Sequence, residues 1–193
     1  MEFDKDLRSI QEARDKVAKA KKAQKVLAAM DQAAIERIVT AISQAAAAES
    51  ARLARLAAEE TGFGVAADKE IKNRFAACTL YEAIKDQKTV GVLAEDKEQR
   101  TIDIGVPVGV VAALVPSTNP TSTVIYKSMI CLKAGSPVVF SPHPSALKCI
   151  LETVDVVRRA AEGAGAPPDA VSCLTVPTLG ATKTLMGHPD TRL

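Results

Sequence analysis

Four cysteines, two histidines and an asparagine at a strand-to-helix turn are the groups of this chain best suited to chemistry. A cysteine attacks a carbonyl only as its thiolate, which needs a positive neighbour and an open face. Cys78, Cys131, Cys149 and Cys173 lack C-x-x-C spacing, and each sits inside an apolar helix or strand pattern, so all four read as reduced and buried. Cys131 is the tempting nucleophile. Between Ile130 and Leu132 on a helix, it is expected to point into the core without a positive neighbour. His143 and His188 have no second ligand at a spacing that closes a zinc site, so no metal is expected. The string Gly62-Phe63-Gly64-Val65-Ala66-Ala67 matches G-x-G-x-x-A, but that motif cradles a pyrophosphate only between a strand and a helix. A helix precedes it here, which makes it a helix-to-helix turn.

These groups need a scaffold, and residues 104–145 carry its pattern. Val110 to Val115 is an unbroken apolar run of strand length, as a strand covered on both faces of a parallel sheet requires. Pro116-Ser117-Thr118-Asn119-Pro120 stops it, and Asn119 as N-cap with Pro120 at the first helical position starts a helix running to about Lys133, closed by Gly135. Pro137 to Phe140 reads as the next buried strand, ending in a second loop, Ser141-Pro142-His143-Pro144. In open α/β sheets ligands bind outside the carboxyl ends of the strands, so the two loops should wall a crevice.

The surrounding chain is helical before this unit and alternating after it. Leu7, Ile10, Val17, Ala20 and Leu27 predict one long helix; Asp31 caps a second bearing Ile35, Ile38, Val39 and Ile42; a third passes Leu53 and Leu56 to Thr61-Gly62. A fourth, capped by Asp68 and carrying Ile71, Phe75 and Cys78, should run until Gly91. Thr101 to Ile104 alternate as a half-exposed strand. Further on come a helix through Leu147, Ile150, Val154, Val157 and Ala161, a strand from Val171 to Val176, a short helix from Leu179 to Met186, and the start of another strand at Leu193. The fold class is therefore α/β, a helical portion over residues 1–100 and a parallel sheet with right-handed crossovers over 101–193.

Composition narrows the function. The 193 residues are 47% apolar and 25% charged with a formal charge of +2, and four Phe, two Tyr and no Trp offer little for base stacking, so no nucleic-acid partner is expected. No apolar run reaches the roughly 20 residues of a membrane span, and the N-terminus lacks a signal-peptide core, which makes the cytoplasm the expected compartment.

Val106-Pro107-Val108-Gly109-Val110-Val111, Pro116-Ser117-Thr118-Asn119-Pro120-Thr121-Ser122, Leu132-Lys133-Ala134-Gly135 and Phe140-Ser141-Pro142-His143-Pro144 together resemble the aldehyde dehydrogenase superfamily. The branch looks like the CoA-acylating enzymes, and the resemblance extends to Asp68-Lys69-Glu70-Ile71-Lys72-Asn73 and to Leu185-Met186-Gly187-His188-Pro189-Asp190. It implies an incomplete Rossmann-like nucleotide-binding sheet with helices on both faces, holding NAD without a G-x-G-x-x-G turn. It also implies coenzyme A as co-substrate, a short aldehyde such as acetaldehyde as substrate, the rest of the enzyme as partner, and a homo-oligomer. By resemblance, Val115, Pro116 and Ser117 lie along the cofactor, and Ser141, Pro142 and His143 approach the adenosine ribose. Hydrolytic members carry a lysine where this chain has Ser141. The family's oxyanion-binding asparagine corresponds to Thr118 by a gap-free count and to Asn119 by amide chemistry. The family's nucleophilic cysteine falls beyond Leu193, so the chain resembles an N-terminal fragment with no activity of its own. The alternative is a short non-catalytic paralogue serving as a nucleotide-binding or assembly module.

Overall fold

A helical layer wraps a short parallel sheet in the computed structural model, which describes residues 4–193. Helix α1 (Lys5–Leu27) begins where the Asp4 carboxylate accepts the Asp6 N–H, and it buries Ser9, Ala13, Val17, Ala20, Ala23 and Leu27. Leu7 falls outside that stripe and is exposed, because the i, i+4, i+7 line through Ala13 passes Ser9 instead. Helix α2 (Gln32–Ala48) is capped by Asp31, which accepts the Ala34 N–H at 2.8 Å, and Ile35, Ile38, Val39 and Ile42 are all fully buried. Helix α3 (Ser50–Thr61) stops at Gly62, whose φ of +69° is the left-handed cap that favours glycine.

Helix α4 (Ala66–Arg74) departs from the sequence expectation in three ways. Val65, not Asp68, is its N-cap, with Asp68 inside the first turn. The helix continues through a π turn, Phe75–Thr79, into α5 (Leu80–Ile84) and stops there. Its buried side carries Lys69, Asn73, Ala76 and Ala77, while Ile71 and Phe75 are 67% and 64% exposed and Cys78 is exposed as well. Small and polar residues face inward because this helix packs closely on α3 and on the start of α6 (Pro120–Lys133), where Asn73 bridges the Ser50 carbonyl and the Thr121 hydroxyl.

Gly91 opens a strand. β1 (Gly91–Asp96) pairs antiparallel with β2 (Thr101–Gly105), and the Asp96 carboxylate accepts the Glu98 and Gln99 N–H groups to close the turn. The half-exposed strand expected at residues 101–104 is thus one arm of an exposed hairpin, separate from the parallel sheet.

The parallel sheet has the order β3 (Val111–Val115), β4 (Val138–Pro142), β5 (Val171–Cys173). Alternation sends Val111, Ala113, Val115, Val138, Phe140, Val171 and Cys173 to the face shared with α2, α6 and α7 (Leu147–Gly163). Val110 and Val139 turn the other way, onto α1 and α8 (Leu179–Gly187). Cover on that face is incomplete: Leu114 is 47% exposed, so β3 is not buried on both sides as its apolar run suggested. β5 is shorter than expected because the Thr175 N–H and hydroxyl and the Val176 N–H leave the sheet for the Glu12 carboxylate, at 2.9, 2.7 and 3.0 Å. Residues 191–193 add along β3, the Arg192 N–H donating to the Val110 carbonyl and the Ala112 N–H to that of Leu193.

Helix α7 takes its cap from another element. Glu60 of α3 accepts the Lys148 and Cys149 N–H groups at 2.8 and 2.7 Å, whereas Ala146 at the N-cap supplies nothing. Glu60→Ala should lower stability by about 1–2 kcal/mol, the cost of an absent cap. Urea unfolding checks this, and a change within a few tenths would show that water replaces the carboxylate.

Candidate functional site

The carboxyl ends of β3 and β4 lie side by side. Val115 pairs with Pro142, and the His143 N–H donates to the Val115 carbonyl at 3.0 Å, so the loops after the two strands leave the sheet together. Pro116, His143 and Ser145 are exposed on this edge and Ser117 is half-buried. His143 is fixed locally: its Nδ1 accepts the Ser145 N–H at 3.2 Å and lies 2.8 Å from the Ser145 hydroxyl. Ser141 and Pro142 belong to β4 itself and are buried. The Ser141 hydroxyl lies 2.8 Å from that of Thr182 on α8 and caps no helix.

The far half of the first loop faces another element. Thr118 and Asn119 line a cavity of about 270 Å³ with Phe63, Gly64, Val65, Asp68, Lys69 and Lys72. Residues 62–65 do join two helices, as their context implied, yet they form one wall of a cavity whose other wall is the loop after β3. Asn119 occupies the N-cap position of α6 but makes no capping bond. Its Oδ1 accepts from the Lys72 ammonium at 3.0 Å, while the Lys69 ammonium donates to the Thr118 carbonyl at 3.0 Å. The sequence reading assigned Lys69, Lys72 and Asn73 no task. A signal was present, since Lys69 and Asn73 are four apart in line with Ala76 and Ala77, a polar pair on a small-residue stripe.

None of the buried thiols is primed for attack. Burial pushes the Cys131 thiol up to about 11. Lys127, one turn earlier, is a positive neighbour that the sequence reading left out, and it offsets only part of the burial effect. Cys149 rises to about 12 through burial and then the Glu60 carboxylate, and burial raises Cys173 too. Among the described residues no group of three His, Cys, Asp or Glu could hold a metal ion, and no helix is long and apolar enough to cross a membrane.

The arrangement fits a nucleotide with a diphosphate. Two neighbouring parallel strands end at one edge, their loops carry exposed polar groups, and the first turn of α6, where Pro120 has no N–H and the Thr123 N–H donates to the Asn119 carbonyl, lacks a side-chain cap on its Thr121 and Ser122 N–H groups, leaving these two for an anion.

Residues 7–193 match the aldehyde dehydrogenase family. The bifunctional aldehyde-alcohol dehydrogenase AdhE of Escherichia coli (strain K12) is 44% identical over 177 residues, 92% of this chain and 20% of that protein. Among solved structures, a probable aldehyde dehydrogenase from Listeria monocytogenes EGD-e superposes with a TM-score of 0.98 at 57% identity, covering 98% of this chain and 42% of the other. An acetylating aldehyde dehydrogenase from Geobacillus thermoglucosidasius gives 0.96 at 52% identity, with the same coverages. The chain thus spans a fifth to about two fifths of the length of these proteins.

Proposed function

This chain belongs to the aldehyde dehydrogenase family, and from that membership we propose that it forms most of the nucleotide-binding half of a CoA-acylating, NAD-dependent enzyme. The enzyme would convert a short aldehyde, such as acetaldehyde, to its acyl-CoA in the cytoplasm. The observation that carries this reading is the pairing of Val115 with Pro142, which sets both loops on one sheet edge. Val115, Pro116 and Ser117 would lie along the cofactor. His143 would meet the ribose from the second loop, with Ser141 and Pro142 shaping that loop from within β4. NAD, when bound, accepts the hydride. Either Thr118 or Asn119 would donate a hydrogen bond to the oxyanion formed when the cysteine of the rest of the enzyme attacks the aldehyde. Reading the coding frame past Leu193 tests the proposal: a continuation into a glycine-rich turn and a cysteine supports it, and a stop favours a non-catalytic binding module.

Cofactor choice follows from position 141. Without a lysine there, a 2′-phosphate would be desolvated without a cation from this loop. NAD should bind the full-length enzyme more tightly than NADP in titrations at fixed salt, and tighter NADP binding would show that another cation reaches the site.

Assembly follows from the hairpin. Val92, Leu93, Ile102 and Ile104 are 40–59% exposed on a two-stranded ribbon, an arrangement marginal in water unless something covers it. A second copy in a homo-oligomer would do so. Ile102→Lys with Ile104→Lys should shift the sedimentation of the full-length enzyme towards the monomer, and an unchanged profile would place the contact elsewhere.

A further inference from the structure

We infer that Lys69 and Lys72 of α4, braced by Asn73, are positioning residues that hold the loop after β3 in the conformation that presents its oxyanion donor. The inference rests on the proposed role of Thr118 or Asn119. Lys69 is the clearest member. It is only 5% exposed, and its ammonium donates to the Thr118 carbonyl at 3.0 Å. The other deeply buried lysine, Lys133, is paired with the Glu36 carboxylate. Lys69 makes no such pair among the described residues: burial, and then the neighbouring Lys72, lower its pKa. A buried ammonium spent on one carbonyl costs stability, so its return must lie in where that carbonyl is held.

Lys72 fixes a direction. An ammonium can only donate, so the Asn119 atom 3.0 Å from it is the amide oxygen, and the NH₂ group is the end left to point elsewhere. An oxyanion needs that end. Asn73, fully buried, closes the clamp by accepting from the Thr121 hydroxyl at 2.7 Å while donating to the Ser50 carbonyl at 3.0 Å. Lys69, Lys72 and Asn73 therefore reach Thr118, Asn119 and Thr121, across the turn that starts α6.

Two variants separate positioning from simple packing. Lys69→Met keeps the unbranched side chain to within one atom of its length and removes the buried charge, so its thermal midpoint should be unchanged or higher. In the full-length enzyme kcat should nevertheless fall about tenfold or more with the KM for aldehyde little changed, as expected for a misplaced donor. Lys72→Met should lower kcat in the same way and move the Asn119 side-chain amide resonances of this chain, Lys72→Arg should recover part of both, and Lys72→Met should add nothing to Asn119→Ala. A lower midpoint with unchanged kcat in Lys69→Met would reduce Lys69 to a packing residue. Full kcat in Lys72→Met, where Asn119→Ala is impaired, would overturn the clamp and leave the oxyanion reading standing. Full kcat in both Thr118→Ala and Asn119→Ala would instead overturn the oxyanion reading, whatever the resonances show.

Discussion

Purified chain supplied with acetaldehyde, coenzyme A and NAD should form NADH no faster than a protein-free control. Aldehyde oxidation by hydride transfer needs a tetrahedral adduct, and in this family a thiolate makes it. With the Cys131 thiol at about 11, about one molecule in a thousand would be ionised near pH 8, on a side chain that is 9% exposed. Cys149 and Cys173 are buried with their thiols raised further. Cys78 is exposed, but it lies on the π turn after α4 and not at the sheet edge. Steady turnover abolished by Cys131→Ala or Cys78→Ala would contradict this account and make the chain an enzyme with a nucleophile of its own.

The largest stability loss should come from Phe140→Ala. Phe140 is fully buried in the central strand, and its register neighbours on the same sheet face are Ala113 and Cys173. Side chains that small cannot fill the space left by a ring, so the substitution should cost about 3–5 kcal/mol. The thermal midpoint should fall on the order of 10 °C in a domain of this size. Phe75→Ala, at a residue 64% exposed, should change it little. Similar losses at both positions would mean that the helices do not cover the sheet as described.

The central unit was legible because its local signals agreed: an apolar run, Asn119-Pro120 at a helix start and Gly135 at a helix end all point to the same boundaries. Legibility failed where tertiary partners override local pattern. Ile71, Phe75 and Cys78 look like the core stripe of α4, but close approach to α3 and α6 selects Lys69, Asn73 and Ala77, whose polar atoms find partners only in the folded chain. β1 escaped notice because Gly91 reads as a helix stop and Val92-Leu93-Ala94 is too short a run to alternate, and its pairing depends on the turn closed by Asp96. At the candidate site the two-loop edge followed from strand order alone. That Asn119 forgoes capping for Lys72 could not be read from its sequence neighbours, since the donor lies on another element.

The central claim is that the edge formed by β3 and β4 receives the nucleotide, and NMR shift mapping of this chain during titration with NAD tests it directly. Shifts should cluster at residues 115–117 and 141–143, where the two loops leave the sheet together. Shifts concentrated at residues 62–67, with none around His143, would contradict the claim and move the nucleotide to the glycine turn between α3 and α4.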